Sequence, residues 1–226
     1  VITDVVVVPG ALLLLPEYQG RVAAAPGLLE SCVGAVRDAV ASAHHVVVVH
    51  GTDREPRSAR PAAGLRVADH LLGATHENFD VEHVGVAWDA SVADCIALGR
   101  AVADREDERS GNRATTLLVV ADGSARRTEK APGHFDERAA AVDDSIVGAV
   151  RDAADGGLDR LLDLDPTLCA DLLVTGRAPL QVLAAATGEA LGGGHEGERT
   201  AYEVVSCEVS DPFGVLYVVA HLRARA

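Results

Sequence analysis

Three polar switches follow apolar runs in this chain. Pro9-Gly10 follows Ile2 to Val8, His50-Gly51-Thr52-Asp53 follows His45 to Val49, and Asp122-Gly123-Ser124-Ala125-Arg126-Arg127 follows Thr115 to Ala121. If those runs are parallel neighbours, their loops open on one sheet edge, where open α/β folds bind ligands. His50 at a strand end could ligate a metal or move a proton; the alternative is a hydrogen-bonded loop residue. Asp122 could bind a metal, orient an imidazole or cap a turn. His134, after Pro132-Gly133, is a second imidazole in the same loop. His50, Asp122 and His134 are therefore the candidate catalytic or metal-binding set. Ser124, Arg126, Arg127 and Lys130 are candidates for holding a carboxylate or phosphate; a solvated basic face is the alternative. Ser124 lacks the GxSxG context of an activated serine. His195 with Glu196 and Glu198 could complete an iron-type site of two His and one carboxylate; a flexible surface loop is the alternative. HxxxH, HExxH and GxGxxG are absent, and Gly192-Gly193-Gly194 follows a helical pattern instead of opening one.

The elements that must position these residues are legible in the hydrophobic pattern. The three runs are short, β-branched and nearly continuous, as strands buried on both faces are. Leu28, Leu29, Cys32, Val33, Val36 and Val40 recur at helical spacing and predict a helix from about Gly27 to Ala43. Asp53 to Phe79 reads as a long irregular segment with a helical turn at Asp69 to Leu72. Val81 to Ala87 reads as a strand, Ser91 to Asp104 as a helix, and Arg105 to Arg113 as a solvated excursion. Asp136 is the expected N-cap of a helix reaching Ala154. Asp165-Pro166 starts a helix that ends near Thr175-Gly176, and another runs from Pro179 to Ala190. Ala201 to Val209 and Val215 to Leu222 read as an antiparallel hairpin. The expected fold is a single α/β domain over residues 1–226. Its central sheet is mixed and mostly parallel, with helices on both faces and a C-terminal antiparallel hairpin.

The 226 residues are 48% apolar but only 3% aromatic, so the core must be built from Val, Leu and Ala. A net charge of -14 repels phosphate backbones and anionic bilayers, which argues against nucleic-acid and membrane partners. Four scattered cysteines without a CxxC pair read as small buried hydrophobes in a reducing compartment. No apolar run approaches the ~20 residues of a spanning helix, and no basic region precedes the first apolar stretch. A cytoplasmic location is the expectation. The apolar loop from Ala11 to Gly20 either packs under a pocket rim or contacts a second chain.

Leu118 to Asp143, LVVADGSARRTEKAPGHFDERAAAVD, resembles the segment after a core strand in the class III extradiol ring-cleavage dioxygenase superfamily, typified by the protocatechuate 4,5-dioxygenase catalytic subunit. Within it, the short actinobacterial branch is the most similar. PGALLLLPE from Pro9, GRAPLQVLAAA from Gly176 and DPFGVLYVVAHL from Asp211 extend the similarity over nearly the whole chain. The resemblance implies non-haem Fe(II) held by two His and one Glu, a catecholate and O2 as substrates, a further His as acid/base, and assembly as a homodimer. This sequence departs from that pattern. Gly10 stands where the first ligand His is expected, and Ala125 follows Asp122-Gly123-Ser124 where the catalytic His is expected. Only His50 is near the place of the second ligand, and Glu198 and Glu203 are open choices for the Glu. The expectation is a dioxygenase-like protein without ring cleavage and without a cofactor, binding a small anionic or aromatic ligand; Fe(II) belongs only to an active form. Two alternatives remain at this point. One is a metal-dependent oxidoreductase rebuilt around His50, Asp122 and His134. The other is an interaction subunit that uses Ala11 to Leu15 as its contact surface.

Overall fold

The computed structural model describes residues 1–21, 24–54, 60–109, 113–188 and 200–225. The valine-rich runs form the strands β1 (Ile2–Val8), β2 (His45–Thr52), β3 (Asp80–Ala87) and β4 (Thr115–Val120), and the chain ends with β5 (Tyr202–Ser210) and β6 (Tyr217–Ala224). They make one sheet in the order β3-β2-β4-β1-β6-β5. The first four strands are parallel; β6 runs antiparallel to both β1 and β5. This is the expected mixed α/β sheet with its C-terminal hairpin.

Alternation along the strands builds two apolar layers. Val5, Val7, Val47, Val49, Leu117 and Val119 face one layer, and Val6, Val8, Val46, Val48, Leu118 and Val120 face the other. The helices α1 (Pro26–Val40) and α2 (Ala63–Gly73) cover the second layer. The first layer is covered by α3 (Val92–Glu108), α4 (Ala139–Arg151), α5 (Pro166–Asp171) and α6 (Arg177–Thr187). The chain moves outward from β1 to β2 to β3 with its helices on one face, then returns to β4 with α3 on the other. Right-handed crossovers require that change of face when the direction reverses. At β4 the chain leaves toward α4, while its neighbours β1 and β2 lead to α1 and α2. The loops diverge there and leave a crevice at the carboxyl edge of the sheet.

Side-chain caps mark the starts of α3 and α5. Ser91 and Asp94 form a reciprocal capping box for α3. Asp165 accepts from the Leu168 amide at 2.7 Å and starts α5 as expected, but the helix ends at Asp171, short of the expected Thr175-Gly176. Three further expectations change. Residues 63–73, read as irregular apart from one turn, form the whole of α2, because Val67, Ala68, Leu71 and Leu72 line one buried face. Asp136 does not cap α4; the preceding position is Arg138, whose guanidinium and amide Asp136 binds. The helix α3 runs to Glu108 through the charged stretch, because Arg105, Glu106 and Arg109 find partners on the strands.

The apolar loop after β1 makes two 3-10 turns, Leu12–Leu14 and Pro16–Tyr18. Leu14 and Leu15 are buried in the chain's own core, and Leu12 faces outward. All four cysteines are free thiols, three of them buried. Among the described residues no helix is long and apolar enough to cross a membrane.

Candidate functional site

The crevice is centred on Asp122. The apolar run of β4 carries the chain to the sheet edge, where Asp122 bridges to Tyr217 beyond the end of β1. The Gly10 amide donates to Asp122 Oδ1 at 3.1 Å, and the Thr175 side chain also hydrogen-bonds this carboxylate. The Gly176 amide donates to the Asp122 carbonyl at 3.0 Å. Burial pushes the Asp122 carboxyl up to about 6, and the bonds from Gly10 and Thr175 only partly offset that. A part of its surface still reaches solvent, so the group can exchange its proton. Burial, with Asp122 nearby, also pushes the Tyr217 hydroxyl up to about 12 and the Cys32 thiol up to about 12. Neither is a nucleophile at neutral pH.

His50 lies on the same sheet face, on β2, the strand next to the β3 edge. Burial holds its imidazole below the ordinary value, partly opposed by the carbonyl of Gly51. Nδ1 lies 3.2 Å from that carbonyl, so Nδ1 carries the proton and Nε2 keeps a lone pair. The ring sits over Gly85 of β3: a Cβ built there would lie 3.6 Å from Cε1 and 3.9 Å from Nε2. Beyond it are His83 and Asp69, paired at 3.3 Å.

Two glycines close the space between His50 and Asp122. A Cβ at Gly10 would lie 3.2 Å from Val120 Cγ1, 3.3 Å from Asp122 Oδ2 and 3.7 Å from the Gly64 Cα. A Cβ at Gly64, in the first turn of α2, would lie 3.2 Å from Val120 Cγ1 and 3.4 Å from the His50 Cβ. The backbone of α2 therefore comes down directly on the strand ends. An imidazole at position 10 has no room unless Val120, Asp122 or α2 moves.

The loop after β4 is held by Asp143 of α4, which is 1% exposed. Ser124 is fully buried, donating its hydroxyl to Asp143 Oδ2 at 2.6 Å and its amide to Oδ1 at 2.8 Å. Arg127 donates to Asp143 at 2.8 Å and to Asp211 at 2.8 Å. The charge of Arg127 and the hydroxyl of Ser124 are thus engaged in tying the loop to α4 and the β5–β6 turn. Arg126 is half-buried, with an Nε that has no acceptor. Lys130 is exposed, and the Ala125 amide donates to the Leu172 carbonyl at 3.1 Å. His134 is exposed on a left-handed turn with φ 59°. The ligand atoms of His50, Asp122 and His134 do not converge as a group. Glu203 pairs in register with Arg223, whose other neighbour is Asp4 near the start of β1, so it lies at the opposite edge of the sheet. His195, Glu196 and Glu198 lie outside the described residues.

One convergent group was not singled out from the sequence. The ligand atoms of His45, Glu82 and Glu106 lie within 4.8 Å of one another, at the amino edge of the sheet. Arg109 Nη1 approaches His45 Nε2 at 2.8 Å and can only donate, so Nε2 accepts and Nδ1–H donates to Glu106 Oε2 at 3.1 Å. Thr115 donates to the same oxygen at 2.7 Å. Glu82 binds Arg105 at 2.9 Å and Arg109 at 3.1 Å. A cation would have to displace Arg109 from the one imidazole lone pair, so the group fits an ion-pair network better than a metal centre. The sequence signal was the acidic and basic last turn of α3, which read as solvated.

No protein-family model matches this chain, and no match was found among curated proteins.

Proposed function

We propose that the chain is a class III extradiol dioxygenase-like protein that keeps the sheet and its crevice, has lost iron-dependent ring cleavage, and serves as a binding protein for a small anionic ligand. The observation that carries this reading is the Gly10–Asp122 hydrogen bond. It occupies the place where the resemblance calls for a ligand imidazole, and α2 packs against it.

The residues present do not fit the iron such enzymes use. Gly10 and Ala125 offer no side-chain donor, and among the described residues His50 belongs to no group of three or more His, Cys, Asp or Glu side chains whose ligand atoms converge. An open Fe(II) site needs two imidazoles and a carboxylate on one face of the ion. Asp122 is the group in the crevice that titrates near neutrality, and it can hold or release a proton against a bound ligand. Along the same edge, Arg126 and Arg177 form no ion pair with a described carboxylate, unlike Arg54, Arg66 and Arg127. They supply the charge for an anion.

Oxygen consumption tests this reading. Protein loaded with Fe(II) under anaerobic conditions is exposed to O2 with protocatechuate and other catechols. Uptake no faster than the protein-free blank is expected; catechol-dependent uptake overturns the proposal.

A further inference from the structure

Arg177, the first residue of α6, is 2% exposed and is the bulkiest side chain so fully enclosed. Its Nη1 donates to the Ala90 carbonyl at 2.7 Å and to Gln181 Oε1 at 2.9 Å, and Nη2 donates to the Trp88 carbonyl at 2.7 Å. These acceptors are all neutral. Nε–H and the second Nη2 hydrogen have no acceptor among the described residues, and no described carboxylate lies within ion-pair distance. A guanidinium withdrawn from water without a counter-charge is costly, so such a group is either a structural tie or half of an ion pair with a ligand.

A cavity of about 310 Å³ beside Arg177 favours the ligand. Its wall includes Trp88, Asp89, Thr167, Cys169 and Val174. The Asp89 charge is offset by Arg54, whose Nε is 3.2 Å from both carboxylate oxygens. Burial pushes the Cys169 thiol up to about 11, so it stays neutral. Trp88, the one tryptophan of the chain, is 47% exposed at the mouth. The cavity thus combines one uncompensated planar cation, apolar walls and an accessible indole.

We propose that this cavity holds a small monocarboxylate with an apolar, ring-sized body, its carboxylate on Arg177 and its body against Trp88. One cation with two spare donors matches a monoanion and its planar oxygen pair. A phosphate dianion would leave excess charge beside Asp89. This names the ligand class for the binding edge proposed above. It rests on that edge being used for binding, not on its ancestry.

Because Trp88 is unique, its emission reports on this cavity directly. The full chain is titrated with phenylacetate and, separately, with phenylacetamide, which has the same shape without the charge. A saturable change with the acid and none with the amide is expected. Arg177→Lys should weaken phenylacetate at least about tenfold, the loss of a bidentate contact. Because Arg177→Lys also weakens the hold on the Trp88 and Ala90 carbonyls, Thr167→Phe, at an exposed position where the ring fills the cavity and leaves the Arg177 bonds intact, is the second variant; it should abolish the response with an unchanged melting temperature. Equal responses to acid and amide, no saturation, retained binding in Thr167→Phe, or tighter binding of inorganic phosphate would each overturn the proposal. Failure here leaves the absence of iron chemistry standing, and iron-dependent turnover would leave carboxylate binding standing.

Discussion

The Gly10 amide lies 3.1 Å from Oδ1 of Asp122, and this bond joins the ends of β1 and β4 at the point where the loops of the sheet diverge. Burial at this point disfavours the charge of the carboxylate, and the bond only partly offsets that. In the unfolded chain Asp122 titrates near 3.8, and in the folded chain at about 6. The folded state binds the proton more tightly, so stability falls as pH rises between those values and is constant beyond them. Asp122→Asn keeps an acceptor for Gly10 and removes the charge. Above about pH 7 the variant should be more stable than the parent by about 2 kcal/mol, a figure reduced for the part of the side chain that reaches water. Near pH 4 the advantage should vanish. Urea titrations at the two pH values measure this, and an equal loss at both would contradict it.

Gly10→His reintroduces the side chain that the resemblance would place there. With Val120 and Asp122 already 3.2 Å and 3.3 Å from a Cβ at this position, the imidazole must displace one of these side chains or α2. The expected cost is about 1–3 kcal/mol, the range for overfilled sites, and the variant should not gain stoichiometric iron. A variant as stable as the parent, binding iron, would show that the crevice is only lightly closed.

At the opposite edge, Glu106 is 2% exposed. Burial works against its charge, but Thr115, His45 and Arg109 outweigh it and hold the carboxyl below its ordinary value of 4.5. A depressed folded pKa contributes stability that is present above the unfolded value and is lost as pH falls through the folded one. Glu106→Gln should therefore cost about 2 kcal/mol at neutral pH, less than a fully buried pair because Arg109 is half exposed. The difference from the parent should close in acid. A cost that stays constant down to pH 3 would assign the effect to packing.

The same network predicts the response to metals. Arg109 occupies the Nε2 lone pair of His45, so Zn2+ should leave the melting temperature of the parent unchanged. A clear Zn2+-dependent rise that Glu82→Gln removes would show that the arginine yields.

The strands were legible because β1, β2 and β4 are short runs dominated by apolar and β-branched residues, and a strand buried on both faces needs no other signal. The helix α2 was not, because Arg66 and the preceding arginines and prolines hide a short buried face that only packing against Val120 and His50 makes decisive. Asp122 was visible as a strand-end carboxylate, but its raised pKa comes from burial, only partly offset by the bonds from Gly10 and Thr175, and that enclosure exists only in the fold. Ser124 and Arg127 looked available for an anion, and the buried Asp143 that holds both lies a loop and a helix turn away. Arg177 was read only as part of a family-like stretch before a helix expected to start at Pro179. Nothing local reveals that its guanidinium is enclosed among carbonyls.

Iron content after anaerobic Fe(II) loading and desalting, measured by elemental analysis in the parent and in His50→Ala, tests the central claim most directly. The account predicts substoichiometric iron at the same level in both proteins. Stoichiometric iron in the parent that disappears in His50→Ala would contradict it.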